Sequence, residues 1–329
     1  MITNMKVYLV RRAFFTFRGK KSYELDLAGM NVLERMQRNL GAELLDGAPP
    51  PGEKVVLYPV FPFLTGEELA RFMSGHAGSL RFCGGFLERG GPFREGSAPA
   101  DGLFSLADYP AMRERAFRES ALWHAGRGAL VEEGALVDLS VRLGRGVIVR
   151  RGSVVRGKSV VGEEAVIGGD SYVEDSVIGA GARVESSRLV CARVGKRCSV
   201  GPYASLRPAS EAGSDVRIGA FVECKNARIG DGCKIAHLAY VGDADLGERV
   251  NVGCGVVFVN YDGKRKSRTR VGNGAFLGSN CNLVAPLRIG DGCFIAAGTT
   301  LTRDLADGDF CIGRSRETVK RGGADKYLG

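Results

Sequence analysis

Between residues 143 and 301 an aliphatic side chain returns every six positions, and nothing else in this chain narrows its possible folds so sharply. Leu143, Val149, Val155, Val161, Ile167 and Val173 follow one another without a break, and Val271, Leu277, Leu283, Ile289, Ile295 and Leu301 repeat the pattern. Between the two runs the phase is kept with one-residue slips, through Ile178, Val184, Val194, Val200, Leu206, Ile218, Cys224, Ile229, Ile235, Val241, Leu246, Val252 and Phe258. Six residues make one flat side, and three sides close a triangular coil whose aliphatic residues point inward. Glycine and small polar residues take the corners, where positive φ costs them least. Each side then pairs in parallel with the same side of the next coil, about 4.8 Å away. The predicted fold is mainly β: a left-handed parallel β-helix, with a small α/β N-terminal region and a connecting helix. An antiparallel β protein would need period-two alternation and hairpin turns, and neither is seen along this stretch.

Composition agrees with that reading. The 48 glycines crowd the C-terminal two thirds without the Pro and Ser of a disordered tract, which suits a repeat with tight corners. A formal charge of +9 asks for an acidic partner. No Lys/Arg run is interleaved with aromatic residues, so that partner is expected to be a phosphorylated small molecule and not nucleic acid. The nine cysteines (Cys83, Cys191, Cys198, Cys224, Cys233, Cys254, Cys281, Cys293 and Cys311) form no CxxC pair and stand where a small apolar residue would serve. With no signal peptide, they are predicted to be reduced and buried in a cytoplasmic protein. The stretch MKVYLVRRAFF is too short, and too interrupted by Arg11 and Arg12, to span a membrane.

Two segments break the period. NYDGKRKSRTR (260–270) is too polar for a prism side and is expected to leave it as an exposed loop; RPASEAGSD (207–215) reads as a smaller departure from the flat sides. Upstream, DYPAMRERAFRESALWHAG has helical spacing with a proline near its start and is expected to connect to the β-helix and cap its first coil. VVLYPVFPFLTGEELARFMSGH reads as a strand, a turn and a helix beginning after Thr65, with Glu67 and Glu68 in the first turn; SAPADG (97–102) reads as a linker. The expected organisation is an α/β region at 1–105, a connecting helix at 106–128, the β-helix at 129–316 and a tail at 317–329.

The motifs GPYASLRP, FVECKNA, AHLAYVGDA, NVGCG, NYDGKRKSRT, FLGSNCNLVAP and IAAGTTLTRD, followed by Arg314, occur in that order. Together they resemble the acetyltransferase domain of the bifunctional bacterial N-acetylglucosamine-1-phosphate uridyltransferase/glucosamine-1-phosphate acetyltransferase family, over about residues 130–316. MNVLERMQRNLGA and PFLTGEELARFMSGH resemble fragments of that family's nucleotidyltransferase domain, which is normally about twice as long as residues 1–105. Its Gly-rich loop with a catalytic Arg and its Pro-Lys motif are missing, and GKK at 19–21 cannot cradle a triphosphate without a glycine-rich turn. No uridylyltransferase activity is predicted, and residues 1–105 read as a shortened relic kept for packing, assembly or binding.

Acetylating an amine requires removal of a proton, attack on a thioester carbonyl and stabilisation of the developing oxyanion. Histidine is the natural base near neutral pH, and the chain has three. The resemblance implies that His237 is the base; Glu223, from a neighbouring coil, is expected to fix its tautomer. His76 and His124 lack a partner motif and read as structural or exposed, and Trp123 as a packing residue. The resemblance also implies Arg207, Lys225 and Tyr240 as phosphate and sugar ligands, with Asn251 beside them. Arg207 and Lys225 stand one coil apart in sequence, so they stack on one side, which costs energy unless an anion lies between them.

The loop residues Asn260, Tyr261, Asp262 and Lys266 resemble a segment that reaches over a neighbouring subunit's site, while Lys264, Arg265 and Arg268 read as solvated. Acetyl-CoA is then expected in a groove between subunits of a homotrimer. Backbone amides near Cys254, Ser279 and Ala297 would meet its pantetheine and thioester, and Arg314 its nucleotide phosphates. Cys254 stands where the family usually has Ala. No covalent acyl-enzyme is expected, because the cysteines lack a dedicated base, and no metal, because a β-helix zinc site needs three histidines and the prism offers one. The expected function is acetyl-CoA-dependent N-acetylation of glucosamine 1-phosphate in UDP-N-acetylglucosamine biosynthesis, serving the cell envelope. Two alternatives stand beside it: an acceptor linked to a nucleotide, and a non-catalytic trimeric scaffold with a relic site. Against the scaffold, the site's polar residues are intact while the N-terminal region is eroded.

Overall fold

One inward residue per side leaves room for strands of only two or three residues, and most of the strands in the computed structural model are of that length. The structure describes residues 6–52, 54–77, 79–89, 92–321 and 324. Residues 1–5 of the N-terminal region, and 322, 323 and 325–329 of the expected tail, lie outside the described residues. The chain divides into two compact units, 6–126 with 136–141, and 127–135 with 142–321.

The second unit is the left-handed parallel β-helix. Val149, Val155, Ile167, Val173, Leu277, Leu283 and Ile295 are fully buried along its axis. The one-residue slips appear as shortened coils: Tyr172 pairs with Arg188 and Arg183 with Ser199, whereas Phe276 pairs with Phe294 at full length. Residues 207–215 correct the sequence reading. Glu211–Ala212 is an ordinary side, paired with Arg193–Val194 above and Arg228–Ile229 below. Its inward residue is Ala212, too small to register as an aliphatic beat.

Outward side chains on that side alternate in sign from coil to coil: Arg193, Glu211, Arg228, Asp245, Arg270. Opposite charges directly across a strand pair stabilise it modestly. Two strands are far longer than the rest, Arg217–Ile229 and Lys234–Leu246, and they pair with each other along their length.

Corners are held by side chains that reach up one coil. The Glu248 N–H donates to Asn273 Oδ1 at 2.8 Å, the Asn273 N–H to Asp291 Oδ1 at 2.6 Å, and the Asp291 N–H to Asp307 Oδ1 at 2.8 Å. These donors would otherwise have no partner at the turn. Asp291→Ala is expected to cost about 1 kcal/mol, read as a lower midpoint of thermal unfolding, and Asp291→Asn much less because it keeps Oδ1.

The first unit is α/β. Its sheet runs in the order Glu43–Leu45, Lys6–Val10, Lys54–Leu57, Gly85–Glu88, Leu80–Phe82, Arg94–Glu95, parallel over the first three strands. Helices Val32–Leu40 and Gly66–Ser74 both open with a capping box, Asn31 with Glu34 and Thr65 with Glu68. Leu9, Met36, Leu57, Phe61, Leu64 and Leu87 fill the core between sheet and helices. Helix Tyr109–Ala125 carries its proline in the first turn, and Ser120 Oγ donates to the Val137 carbonyl at 2.6 Å. His124 is buried on this helix and His76 Nδ1 lies 2.8 Å from the Phe72 carbonyl oxygen, both structural placements. All nine cysteines are free, but the expectation of burial fails for Cys83, Cys191 and Cys254, which are exposed. Cys191 occupies a left-handed corner, a position that faces solvent.

Candidate active site

The long strand Lys234–Leu246 crosses a corner of the prism, and His237 and Leu238 mark that corner. Leu238 adopts a left-handed φ of 37°, and the His237 ring is exposed. Among the described residues His237 makes no side-chain hydrogen bond, so its imidazole is open to an incoming group. The register that pairs Ile235 with Val252 and Tyr240 with Val257 sets Cys254 beside His237 in the next coil. The pairings of Val252 with Leu277 and Leu277 with Ile295 carry the same column on to Ser279 and Ala297.

This column has a chemical character of its own. Its carbonyls are engaged: the Asn280 N–H donates to Cys254 at 2.8 Å, the Gly298 N–H to Ser279 at 2.8 Å, and Arg314 Nη1 to Ala297 at 2.7 Å. Among the described residues, the N–H groups of Cys254, Ser279 and Ala297 make no backbone bond. Gly253 and Gly278 keep those of Ser279 and Ala297 uncovered, since a Cβ at Gly253 would lie 2.6 Å from the Ser279 nitrogen and one at Gly278 2.5 Å from that of Ala297. Three donors at strand spacing beside small side chains suit an extended ligand bearing amide carbonyls. The sequence-predicted cofactor residues therefore share one column, with Arg314 at its end.

On the adjoining side the chain gathers positive charge. Arg207 follows Leu206, which pairs with Cys224, so Arg207 and Lys225 sit one above the other. Lys266 reaches the same spot from the loop. The Lys225 ammonium is held below the usual lysine range, first by Lys266 beside it and then by Arg207. Repulsion of this kind persists in a folded site where an anion is meant to relieve it. Tyr240 pairs with Glu223 in the coil above. Its ring lies back over Gly242, where any Cβ would collide with the phenol.

Glu223 is placed differently from expectation. It faces Tyr240, while the strand partner of His237 is Ala220. The Glu223 carboxylate instead accepts from Arg207 Nη1 at 2.8 Å, which pushes the Arg207 guanidinium pKa up. Their residues lie on the same side in successive coils, within reach of each other. Asn251 pairs with Lys234 and Phe276, on the side that leads into His237.

The loop 260–268 folds over its own chain. Asn260 Nδ2 contacts the Tyr240 hydroxyl at 3.4 Å and donates to Asp243 Oδ2 at 2.5 Å. Asp262 accepts from the N–H groups of Lys264 and Arg265 at 2.7 and 2.6 Å, and those two donors, Arg265 first, hold its carboxyl below the usual range. Tyr261 donates to the Gly263 carbonyl at 2.7 Å and bridges Lys266 across the loop. Arg268 corrects the reading of a solvated residue. It grips Asp245 with two hydrogen bonds of 2.7 Å and also donates to the Ala244 carbonyl at 3.1 Å. Asp243 and Asn226, missed from the sequence, anchor the loop's start, with Asn226 Nδ2 donating to Asp243 Oδ1 at 2.5 Å. Their signal was present: Asn226, Asp243 and Asn260 stand at equal intervals of one shortened coil.

Residues 268–303 match the model of the bacterial transferase hexapeptide (six repeats). The match lies within the left-handed β-helix. The hexapeptide domain is similar to the bifunctional protein GlmU of Clostridioides difficile, with 46% identity over 157 residues, 48% of this chain and 34% of that one. It is also similar to the bifunctional protein GlmU of Gloeobacter violaceus, with 54% identity over 115 residues, 35% of this chain and 25% of that one. The chain thus spans about a third or less of the length of the curated relatives it matches. Among solved structures, the UDP-N-acetylglucosamine acyltransferase of Campylobacter jejuni matches over 60% of this chain and 78% of that one, at 18% identity and a TM-score of 0.31.

Proposed function

We propose that this chain is an acetyl-CoA-dependent N-acetyltransferase whose acceptor is the amine of glucosamine 1-phosphate. It acts as a cytoplasmic homotrimer in UDP-N-acetylglucosamine biosynthesis and carries no uridylyltransferase activity. The observation that carries the reading is His237 at the head of a column of open backbone N–H groups, on a strand paired with the one that carries Lys225 of the cation cluster. When bound, acetyl-CoA supplies a thioester-activated acetyl group. The N–H groups of Cys254, Ser279 and Ala297 hold its extended arm, with Arg314 at the phosphate end. Arg207, Lys225 and Lys266 hold the sugar phosphate, and Tyr240 and Asn251 flank the sugar. His237 accepts a proton from the attacking amine, a role its exposed ring leaves open.

The trimer reading is supported by an exposed aromatic ladder. Phe276, Phe294 and Phe310 stack with ring centroids 4.7 and 5.7 Å apart while remaining 39%, 44% and 65% exposed. Such a stripe suits burial against another copy. The lack of uridylyl transfer is supported by the segment after strand Lys6–Val10. It forms a short hairpin, Thr16–Phe17 with Lys20–Lys21, where a phosphate-binding turn would need several glycines.

The test is release of CoA thiol from acetyl-CoA with glucosamine 1-phosphate as acceptor, set beside a nucleotide-linked amino sugar. Release that depends on glucosamine 1-phosphate is expected. A higher kcat/KM with the nucleotide-linked sugar would overturn the acceptor assignment, and thermal stabilisation by CoA without turnover would overturn the enzymatic one.

A further inference from the structure

Asp243 is a carboxylate with only 9% of its surface exposed. It sits at a corner with a left-handed φ of 47°, directly below Asn226, whose φ is 48°. One carboxylate oxygen accepts from Asn226 and the other from Asn260, both at 2.5 Å. The groups facing it are these two amides, the Lys225 ammonium and the Arg268 guanidinium. Asn260 is the first residue to leave the prism, and Lys266 sits six residues further along the same loop.

We propose that Asp243 is a positioning residue for the phosphate site: by fixing Asn226 and Asn260 it sets the point at which the loop departs and thereby holds Lys266 beside Lys225. This rests on the acetyltransferase reading for its kinetic consequence but not for its structural one. The loop returns to the prism at Arg268, clamped to Asp245. Inside the loop the Ser267 N–H donates to the Asn260 carbonyl at 2.8 Å and Tyr261 bridges Lys266, so the exit strand and the segment carrying Lys266 are tied together. Fixing Asn260 therefore fixes Lys266 as well, and releasing Asn260 from Asp243 frees that pair of strands at the exit, leaving the clamp at Arg268. Without Lys266 held in place, the anion site drops from three cations to two.

Two variants separate hydrogen bonding from charge. Asp243→Asn removes the charge yet keeps both bonds, because Asn226 can rotate its amide to present its oxygen. Asp243→Gly removes both bonds and tolerates the left-handed backbone. Asp243→Gly is expected to raise KM for glucosamine 1-phosphate about tenfold, the effect of losing one charge-assisted contact, with kcat nearly unchanged. Asp243→Asn is expected to stay within about threefold of the wild type. The second readout needs no substrate: limited trypsin digestion at Lys264, Arg265 and Lys266 should be much faster in Asp243→Gly than in Asp243→Asn or wild type. Asn260→Ala, which leaves the corner intact, should reproduce the trypsin result and guards against a folding failure at position 243. Equal KM values for the Asn and Gly variants, or unchanged trypsin cleavage in Asp243→Gly and Asn260→Ala, would overturn the proposal. Wild-type protein inert towards glucosamine 1-phosphate but with the expected cleavage pattern would overturn only the acetyltransferase reading.

Discussion

His237→Ala is expected to lower turnover with acetyl-CoA and glucosamine 1-phosphate by about 10² to 10⁴-fold, the usual contribution of a positioned general base. The ring is exposed and makes no side-chain hydrogen bond among the described residues, so its removal takes nothing from the fold. The thermal midpoint should therefore match the wild type, and KM for acetyl-CoA should barely change, because the open N–H column begins at Cys254 and is left intact. His237→Asn keeps a polar group of similar reach but no basic nitrogen, and should be as slow as His237→Ala. Turnover of either variant within fivefold of wild type would remove His237 from the proposed chemistry.

Lys225→Ala should raise KM for glucosamine 1-phosphate by about 10 to 100-fold while kcat changes little, since the phosphate contact is made equally before and during the reaction. The sign of its effect on the free protein is opposite to that of an ordinary lost ion pair. Lys225 is repelled by Lys266 and Arg207, which is why its ammonium titrates below the usual lysine range. A lysine lowered in the folded state destabilises that state wherever it is protonated. The penalty is fully present below the lowered pKa and is gone above the ordinary one. At neutral pH, Lys225→Ala should leave the ligand-free protein at least as stable as wild type. Adding inorganic phosphate should stabilise the wild type more than the variant. Between the lowered and the ordinary pKa the free site has lost a proton that a bound phosphate recovers, so wild-type KM should climb with pH in that window and the climb should vanish in Lys225→Ala. A variant with unchanged KM, or one that unfolds more easily at neutral pH, would show that Lys225 is not held there for an anion.

How much of this could be seen in the sequence depended on whether the residues carried a period. The inward side chains repeat every six positions, so Val149, Ile167, Leu283 and Ile295 could be placed before any coordinates. Ala212 hid an entire side because a methyl group does not stand out as an aliphatic beat. The cation pair was legible because Arg207 and Lys225 lie one coil apart, and the column from Cys254 to Ala297 because the resemblance named its members. The partner of Glu223 was not legible. Slips of one residue shift which side chains meet, and they turned Glu223 towards Arg207 and Tyr240. The loop was harder still. Its composition said exposed and basic, yet Arg268 is clamped by Asp245 and the exit is pinned by Asp243. Pairings of that kind depend on which corner an acid occupies, information that hydrophobic rhythm does not contain.

The corners held by side chains from the next coil are fastened in both directions. Asp307, Asp291 and Asn273 accept from a backbone N–H of the coil before them, and the Gly308, Gly292 and Gly274 N–H groups donate back to the Asp291, Asn273 and Glu248 carbonyls at 2.8 Å. In a stack where every layer touches only its neighbours, stability is a sum of layers and the junctions between them. Losing the layer at Asp307 strips an acceptor from the layer at Asp291, and losing the layer at Glu248 strips one from the layer at Gly274. Unzipping should therefore meet similar resistance at these corners from either direction, and cutting one carboxylate weakens a junction without choosing the side from which it opens.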